Sequence, residues 1–484
     1  MIKWGISALS HDAALAVFDD DNLLFASHSE RFSGRKNDPL LSQGLINYAK
    51  RYGYPEEIYW YENPLLKSFR QLRAGQGWLL KENSPEDHLQ SHNIYSPIYV
   101  QGHHHSHAAA GYFTSGFKDA TVVVIDAIGE FETFTVWTGN HNLLEKQYSQ
   151  SYPHSIGLWY SAMTQRIGLK PQEDEYILMG MAAYGDPDRF YKEMKDDFID
   201  PSSSPITMRH NLHRGCQWWR PDLTTEQDYF DIAAATQKLY EELFCIILAK
   251  ASSQGWSSNL VLMGGCALNC SANHLAYKYF DNVWIMPNPG DAGSAIGCVL
   301  AHKKQFMSMP HMYTGYNIEG DYPVEEVLHE LLTTGICGVA NGRAEFGPRA
   351  LGNRSLLADP RGEHIKDRVN EIKRRQKFRP FAPAILEEHA SSYFTGYVGP
   401  FMQYTSICED AGLPAIIHGD GTSRVQTVSA KEGMGFRKLL ERWYEETGCP
   451  ILLNTSLNIK GKPIVNNLTD AKEFAKMYGV KVFS

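Results

Sequence analysis

The chain has 484 residues, 43% hydrophobic and 21% charged, which describes a globular protein too long for one ordinary core, so two or three domains are expected. Its formal net charge of -9 excludes a general electrostatic surface for nucleic acid, although a locally basic groove is compatible with it. No run of about 18 apolar residues predicts a membrane span, so no membrane partner is expected.

The first segments of the chain predict a meander of strands. The stretches "KWGISAL", "ALAVFDD" and "NLLFASHSE" have strand-like patterns. The start lacks the basic, apolar and small-residue regions of a signal peptide. The eight cysteines are scattered without a Cys-x-x-Cys pair, which predicts neither a zinc ribbon nor disulfides. We therefore expect a cytoplasmic protein with reduced thiols.

Further strands and a long helix follow. "TVVVIDAIG", "FTVWTG", "NLVLMGG" and "NVWIMPN" predict strands, and "AAATQKLYEELFCIILAKASSQG" predicts a helix that ends at Gly255. This alternation is typical of an α/β fold. The turn-forming segment Met307 to Pro323 predicts a linker, which divides the chain into domains 1–310 and 311–484.

Four histidines lie within five residues in "GHHHSHAAAGYF". His103 and His107 would share one face of a helix. Asp126 ends a predicted strand, and Asp291 precedes a small-residue helix. Two imidazoles and two carboxylates suit iron, manganese or zinc. The alternative is that some of these histidines are solvated or are hydrogen-bonded residues of the core. His104 and His105 are expected to have structural roles or to support the metal ligands.

Two turns next to predicted strands are candidates for nucleotide contacts. In "LMGGCALNCSAN", Gly264 and Gly265 would let the backbone approach a nucleotide, and Asn269 offers an amide. His11 and Asp12 lie in a turn between two strands in "SALSHDAALAV". Either turn could instead be a simple tight connection. Paired turns of this type are what an actin-like or sugar-kinase-like ATPase domain requires.

The C-terminal half contains arginines embedded among glycines. The segments "GRAEFGPRALGNRSLLADPRG", "KFRPFAPAIL", "HGDGTSRVQTV" and "LLNTSLNIKGKPIV" have the composition of a phosphate or carboxylate site. Scattered surface ion pairs are the alternative. The candidate residues are Arg343, Arg349, Arg354, Arg361, Lys377, Arg379, His418, Asp420, Arg424, Ser456 and Asn458.

With these blocks in order, the sequence resembles the O-carbamoyltransferases of nodulation-factor and antibiotic biosynthesis. The resemblance runs from Gly5 to Val465 and includes "HHHSHAAAGYF", "GGCALNCSAN" and "FRPFAPAIL". It implies an N-terminal actin-like metalloprotein domain whose iron ligands map onto His103, His107, Asp126 and Asp291. It also implies a C-terminal domain similar to threonylcarbamoyl-AMP synthases.

The resemblance implies a reaction and roles for residues. Carbamoyl phosphate and ATP, the latter with magnesium, would give carbamoyl-adenylate in the C-terminal domain. The family's Lys-x-Arg and Ser-x-Asn signatures would be Lys377-Phe378-Arg379 and Ser456-Leu457-Asn458. The carbamoyl group would then pass to an acceptor hydroxyl in the N-terminal domain. There His11 is expected either to orient the carbamoyl group or to take the hydroxyl proton.

The acceptor is the least defined part of the prediction. Sugars, natural products and hydroxymethyl pyrimidines in nucleotides or nucleic acid are candidates, and a homodimer is a candidate assembly. Trp218 and Trp219 lie among Arg209, Arg214 and Arg220, which could stack a base and hold a phosphate. The alternative is a surface loop that folds its tryptophans inward. For the whole chain, the alternative function is a non-catalytic actin-like nucleotide-binding protein.

Overall fold

The computed structural model describes residues 1–201, 206–379, 381–431 and 434–484 and divides into two units. The first unit contains Met1–Leu24 and Pro39–Ser308, and the second contains Phe25–Asp38 and Met309–Ser484. The division at Ser308 lies close to the expected boundary at residue 310. The segment Phe25–Asp38 was expected in the first domain and instead belongs to the second unit. No helix in the described ranges is long and apolar enough to cross a membrane.

Strands and helices alternate through residue 303, as the sequence pattern predicts. The strands are β1 (Ile2–Ser7), β2 (Ala14–Asp19), β3 (Asn22–His28), β4 (Glu57–Trp60), β5 (Ile98–Val100), β6 (Asp119–Gly129), β7 (Glu132–Asn140), β8 (Leu143–Ser151), β9 (Ile199–Asp200), β10 (Thr207–Met208), β11 (Asn259–Met263) and β12 (Asn282–Ile285). The α-helices are α1 (Glu30–Ser33), α2 (Gln43–Ala49), α3 (Pro64–Arg73), α4 (Pro85–Gln90), α5 (His103–Ser115), α6 (Ile156–Arg166), α7 (Glu175–Met181), α8 (Asp188–Phe198), α9 (Glu226–Ser252) and α10 (Ser294–Lys303).

Two five-stranded sheets share one topology. The first has the order β3-β2-β1-β4-β5, and the second, read from the corresponding edge, has the order β8-β7-β6-β11-β12. In the first sheet β1 pairs antiparallel with β2 and parallel with β4. In the second sheet β6 pairs in the same way, antiparallel with β7 and parallel with β11. The fold therefore contains an internal repeat of strand order that the sequence pattern did not reveal.

Helices α5 and α10 pack against each other, α5 on β6 and β11 and α10 on β1 and β4. Small residues allow this contact. A Cβ on Gly297 would lie 2.0 Å from the backbone oxygen of Ser106, and a Cβ on Gly5 would lie 1.8 Å from that of Ala295. The run of small residues after the histidines in α5 is thus a packing surface.

The long helix α9 confirms the strongest periodic pattern in the chain. It starts about two turns earlier than the quoted stretch, because the side chain of Thr225 accepts a hydrogen bond from the backbone of Asp228 and Asp228 caps Thr225 in return. Fifteen of its residues are buried, on more than one face. The predicted strands before and after it correspond to β1, β2, β3, β6, β7, β11 and β12.

The second unit contains a mixed sheet of the order β21-β17-β22-β16-β14-β23. Its strands, together with those of two smaller sheets, are β13 (Tyr313–Ile318), β14 (Ile336–Ala340), β15 (Gly342–Glu345), β16 (Arg354–Ala358), β17 (Ala382–Leu386), β18 (Phe394–Thr395), β19 (Ser406–Cys408), β20 (Thr422–Ser423), β21 (Gln426–Val428), β22 (Ile451–Ser456) and β23 (Val482–Phe483). Its later helices are α11 (Val324–Thr334), α12 (Glu363–Lys373), α13 (Ala390–Tyr393), α14 (Met434–Thr447) and α15 (Leu468–Tyr478).

Both faces of this sheet are covered by apolar side chains. Leu356 and Leu357 are neighbours on β16 but belong to different apolar clusters, because successive side chains of a strand point to opposite faces. The predicted linker is partly wrong. Tyr313–Ile318 is strand β13, which pairs antiparallel with β15 within the second unit.

Candidate functional site

The four predicted metal ligands of the first unit converge. His103 and His107 lie on the first two turns of α5, Asp126 lies in β6, and Asp291 begins the turn before α10. The helix spacing brings both imidazoles to one side. One nitrogen or oxygen from each of the four residues lies within 4.8 Å of the others. The tertiary structure therefore joins residues that are up to 188 positions apart in the sequence, from 103 to 291.

The ligand atoms face each other at close range. The Nε2 atoms of His103 and His107 are 3.2 Å apart, and His103 Nε2 lies 3.2 Å from Asp126 Oδ2. His107 Nε2 lies 3.3 Å from Asp291 Oδ1. Ligands that bind one ion at about 2.0–2.2 Å are separated by about 3.0–3.5 Å, so these spacings fit a single ion.

The charges of this cluster are strongly coupled. Burial lowers the pKa of His103, but Asp291 and Asp126 outweigh burial and raise that pKa well above its ordinary value. Burial raises the pKa of Asp126, but His103 and His107 lower it well below its ordinary range. The carboxylates are thus held ionised, as metal ligation requires. The donor set of two imidazoles and two carboxylates fits a first-row metal such as iron, manganese or zinc.

The backbone around Asp126 fixes its orientation. Its Oδ1 atom accepts hydrogen bonds from the N–H groups of Ala127 at 2.8 Å and Gly265 at 3.3 Å. Gly264 has φ +91°, and a Cβ there would lie 2.2 Å from the backbone oxygen of Ile125. The double glycine was predicted to approach a nucleotide. In the structure Gly265 also supports a metal-ligand candidate, and nucleotide contact by either glycine stays a prediction.

His11 lies in the turn between β1 and β2. Its Nδ1 atom is 3.4 Å from Asp12 Oδ2, and Asp12 has φ +52°. Its Nε2 atom is buried without a hydrogen-bond partner among the described residues. Burial lowers the pKa of His11, but Asp12 and Asp291 raise it to about 9. The imidazole is therefore cationic at neutral pH, which favours an orienting role over proton abstraction.

A second cluster lies in the second unit, at the end of β22. The ammonium group of Lys373, the last residue of α12, donates to Ser456 Oγ at 3.1 Å and to Asn458 Oδ1 at 2.9 Å. Burial, followed by the charges of Arg375 and Arg379, lowers the pKa of Lys373 well below its ordinary value. Both charged groups that shift this pKa are cations, so a bound anion would restore the charged amine.

Sequence analysis missed Lys373. The chain contains three Lys-x-Arg triplets, which begin at Lys366, Lys373 and Lys377, and the sequence pattern favoured Lys377-Phe378-Arg379. In the structure Lys377 is exposed, whereas Lys373 is buried on the Ser-x-Asn segment. The structure thus brings Lys373 to the Ser-x-Asn segment, and a catalytic role of Lys377 stays a prediction. Arg379, which influences the pKa of Lys373, stays a prediction. The neglected signal was the Lys-x-Arg triplet that comes just before Lys377 and runs from Lys373 to Arg375.

Comparison with known proteins identifies the family of this chain. Residues 81–300 match the family described as Carbamoyltransferase N-terminus, and residues 328–483 match Carbamoyltransferase C-terminus. The nodulation protein NolO of Bradyrhizobium diazoefficiens is 34% identical over 76% of this chain and 75% of its own length. The chain belongs to the carbamoyltransferase family.

Other members of this family extend the likeness. The 3'-hydroxymethylcephem-O-carbamoyltransferase of Amycolatopsis lactamdurans is 28% identical over 97% of this chain and 95% of its own length. Among solved structures, full-length HypF in the phosphate- and nucleotide-bound form matches with 12% identity and a TM-score of 0.40. That match covers 63% of this chain and 46% of HypF. A match at that TM-score assigns no function.

Two arginines of this carbamoyltransferase-family chain have structural partners. Arg354 is fully buried, and its guanidinium donates to five backbone carbonyl groups, those of Tyr316, Asn341, Gly342, Asn353 and Asn466. It has no exposed surface, so this geometry supports a structural role and gives no support to the predicted nucleotide contact. Arg343 likewise donates to the carbonyl group of Thr314 at 2.5 Å, which engages part of its guanidinium.

The remaining arginines differ in their surroundings. Arg349 is half-buried in a loop that Glu345 orders by accepting hydrogen bonds from backbone N–H groups. Arg424 has a buried Nε atom with no hydrogen-bond partner among the described residues, as expected of a group that awaits an anion. Arg361 pairs with Asp359 near the surface. Nucleotide binding by Arg349 and Arg424 stays a prediction.

Asn269 is engaged within the protein. It is buried, and its amide exchanges hydrogen bonds with the amide of Gln237 at 3.0 and 3.1 Å. Its oxygen also accepts from the backbone N–H of Ala272. This geometry supports a structural role and gives no support to the predicted nucleotide contact.

The two neighbours of the metal ligands on α5 have structural contacts. His104 Nδ1 lies 3.0 Å from Thr135 Oγ1, and His105 stacks on Trp137 with ring centroids 5.3 Å apart. Both contacts lie outside the metal-ligand cluster, which agrees with their expected supporting roles.

The tryptophan pair divides into one buried and one exposed side chain. Trp219 is 2% exposed and its indole N–H donates to Asp197, so its predicted role in base stacking is wrong. Trp218 is 54% exposed and packs beside Phe198. Arg220, predicted to hold a phosphate, is paired with Glu193 and Asp222. The inward-folding alternative is therefore correct for Trp219 only.

Proposed function

We propose that this protein is an ATP-dependent O-carbamoyltransferase with two reaction centres. In residues 311–484, carbamoyl phosphate, ATP and water give carbamoyl-adenylate, phosphate and pyrophosphate. In residues 1–310, an acceptor hydroxyl oxygen attacks the carbamoyl carbon, AMP leaves, and the hydroxyl proton is released. The observation that carries the proposal is the convergence of His103, His107, Asp126 and Asp291 in a chain of the carbamoyltransferase family.

The adenylating centre is proposed at Lys373, Ser456 and Asn458. Lys373 contacts both ends of the Ser-x-Asn segment, and a bound phosphate group would restore the charge of its amine. Arg379 and Arg424 would supply further charge to phosphate groups, with Arg349 in the neighbouring loop. Magnesium would accompany the ATP as its ordinary counterion. The similarity of this unit to adenylate-forming domains is part of the proposal.

The transfer centre is proposed at the metal cluster. A divalent ion held there, with iron favoured by the family resemblance, would supply Lewis-acid chemistry to the carbamoyl donor. His11, cationic at neutral pH, would donate a hydrogen bond to a phosphate or carbonyl oxygen of that donor and thereby orient it. The repeated strand order of the two sheets supports the proposed actin-like architecture.

The test follows the two centres separately. Exchange of labelled pyrophosphate into ATP should require carbamoyl phosphate, and its absence would contradict adenylate formation. A panel of hydroxylated sugars, antibiotic scaffolds and hydroxymethyl-cytosine oligonucleotides should contain an acceptor that gains one carbamoyl mass. The acceptor class is left to this panel, since Trp219 no longer favours a pyrimidine.

The alternative is a non-catalytic actin-like nucleotide-binding protein. It would require neither a buried lysine on the Ser-x-Asn segment nor the converged cluster of imidazoles and carboxylates. ATP binding without carbamoyl phosphate-dependent exchange would favour it.

A further inference from the structure

A buried ion pair lies behind the metal cluster. Glu62 follows β4 and Lys67 lies in α3, and both side chains are 4% exposed. The ammonium group of Lys67 contacts Glu62 Oε1. The other carboxylate oxygen, Oε2, lies 3.5 Å from His103 Nδ1. Sequence analysis identified neither residue.

The contact lies on the ring nitrogen that faces away from the cluster. His103 presents Nε2 to Asp126 and His107, while its Nδ1 atom is buried with no shorter polar contact among the described residues. An imidazole that binds a metal through Nε2 carries its proton on Nδ1. A carboxylate opposite Nδ1 accepts that proton's hydrogen bond, fixes the tautomer and makes the ligand more basic.

Lys67 connects the same ion pair to the turn that carries His11. Its ammonium group also donates to the backbone oxygen of Leu9 at 2.6 Å. Leu9 has φ +68°, a left-handed conformation that is unfavourable for a leucine, and its N–H donates to the oxygen of Pro39 at 2.7 Å. The strained turn is thus held from both sides, and one of the two restraints is Lys67.

Helix α3 is built to bury this polar group. Its buried residues are Lys67, Ser68 and Arg70, whereas its apolar residues are 43–50% exposed: Leu65, Leu66, Phe69 and Leu72. This is the reverse of the usual amphipathic arrangement. Apolar residues of similar shape generally stabilise a fold as well as a buried ion pair does. Packing alone therefore does not explain the polar interior of the helix.

We propose that Glu62 is a positioning residue that fixes the tautomer and ring orientation of His103, and that Lys67 holds both Glu62 and the Leu9 carbonyl in place. The ion pair thereby sets the metal affinity of the cluster and links it to the His11 turn. This inference rests on the metal centre of the proposed function.

The test is metal binding to the metal-free full chain, measured with Zn²⁺ by competition with a chromophoric chelator. The double variant Glu62→Leu/Lys67→Met removes both charges, so neither is left buried alone. Its Kd for Zn²⁺ should rise about 10- to 100-fold. Its thermal midpoint should stay close to that of the wild type. The control Glu57→Gln, which lies in strand β4 just before Glu62 and contacts Tyr59, should leave the Kd unchanged.

The outcomes separate the two proposals. If the wild-type chain fails to bind Zn²⁺, the proposed metal centre is wrong and this inference falls with it. If the folded double variant binds Zn²⁺ as tightly as the wild type, the metal centre stands and the positioning role is wrong. Should the double variant not fold, Glu62→Gln decides. That variant retains an acceptor oxygen but no charge, so a Kd raised several-fold supports the role and an unchanged Kd overturns it.

Discussion

Lys373 Nζ lies 3.1 Å from Ser456 Oγ, so the end of helix α12 meets the end of strand β22 although the two residues are 83 positions apart in the sequence. The contact places a buried amine on the Ser-x-Asn segment. It also changes which lysine we expect to act on nucleotide phosphates.

We expect Lys373→Met to abolish or strongly reduce carbamoyl phosphate-dependent exchange of pyrophosphate into ATP. A hydrogen bond to a charged group contributes about 1.5–3 kcal/mol, which corresponds to a rate about 10- to 100-fold lower for each bond that is lost. Because Lys373 makes several contacts, we expect the exchange rate to fall by at least this factor. Lys377→Met is the matched control, because that lysine is exposed, and it should retain most activity. The reverse ranking of the two variants would restore the original choice of Lys377.

Arg379→Ala should lose carbamoyl-adenylate synthesis, because its guanidinium lies close enough to influence Lys373. Chemically supplied carbamoyl-adenylate should still be used by the first unit, as detected by carbamoylation of the acceptor. If a folded variant is not rescued by the supplied intermediate, synthesis and transfer are not separable in the way we propose.

His107→Ala should remove bound metal and abolish carbamoyl transfer while leaving pyrophosphate exchange largely intact. The reason is that His107 supplies one of the four ligand atoms of the cluster and is not among the residues of the proposed adenylating centre. Metal content is measured by elemental analysis after loading and desalting. His105→Ala, on the same helix but stacked on Trp137, serves as the control. Equal metal content in the His107 variant and the wild type would refute the ligand assignment.

His11 should titrate far above an ordinary histidine. Its pKa is raised from 6.5 to about 9, so the protonated form stabilises the folded state. That contribution is fully present below about pH 6.5 and is lost as the pH rises through about 9. We expect the transfer rate to fall over the same upper range, and Asp12→Asn to move the fall to lower pH. A His11 resonance that titrates near 6.5 in the wild-type protein would contradict this.

Arg354→Met should destabilise the fold without acting through the nucleotide. Five backbone carbonyl groups would lose the guanidinium as a donor, which we expect to lower the free energy of unfolding by about 3 kcal/mol or more. Urea denaturation measures the change. Arg424→Met should show the opposite profile, with near-normal stability and weaker ATP binding. Similar stability losses in both variants would argue against a ligand role for Arg424.

Local pattern was sufficient for much of this protein. The spacing of His103 and His107, the strand that contains Asp126 and the turn at Asp291 could be identified from sequence because helix periodicity and strand ends are short-range properties. The same holds for helix α9 and for seven strands of the first unit, which are β1, β2, β3, β6, β7, β11 and β12. Family resemblance then associated the four residues with one metal.

Only the tertiary structure distinguished residues of the same chemical type. Arg354 and Arg424 occur in similar surroundings in the sequence, yet five carbonyl groups close around the first while the second has a buried nitrogen without a partner. Trp218 and Trp219 are adjacent, yet one is exposed and the other buried. Lys373 and Lys377 both begin a Lys-x-Arg triplet, and Glu62 and Lys67 belong to no motif. In each case the role depends on which distant backbone and side-chain atoms surround the group, and long-range packing determines those neighbours.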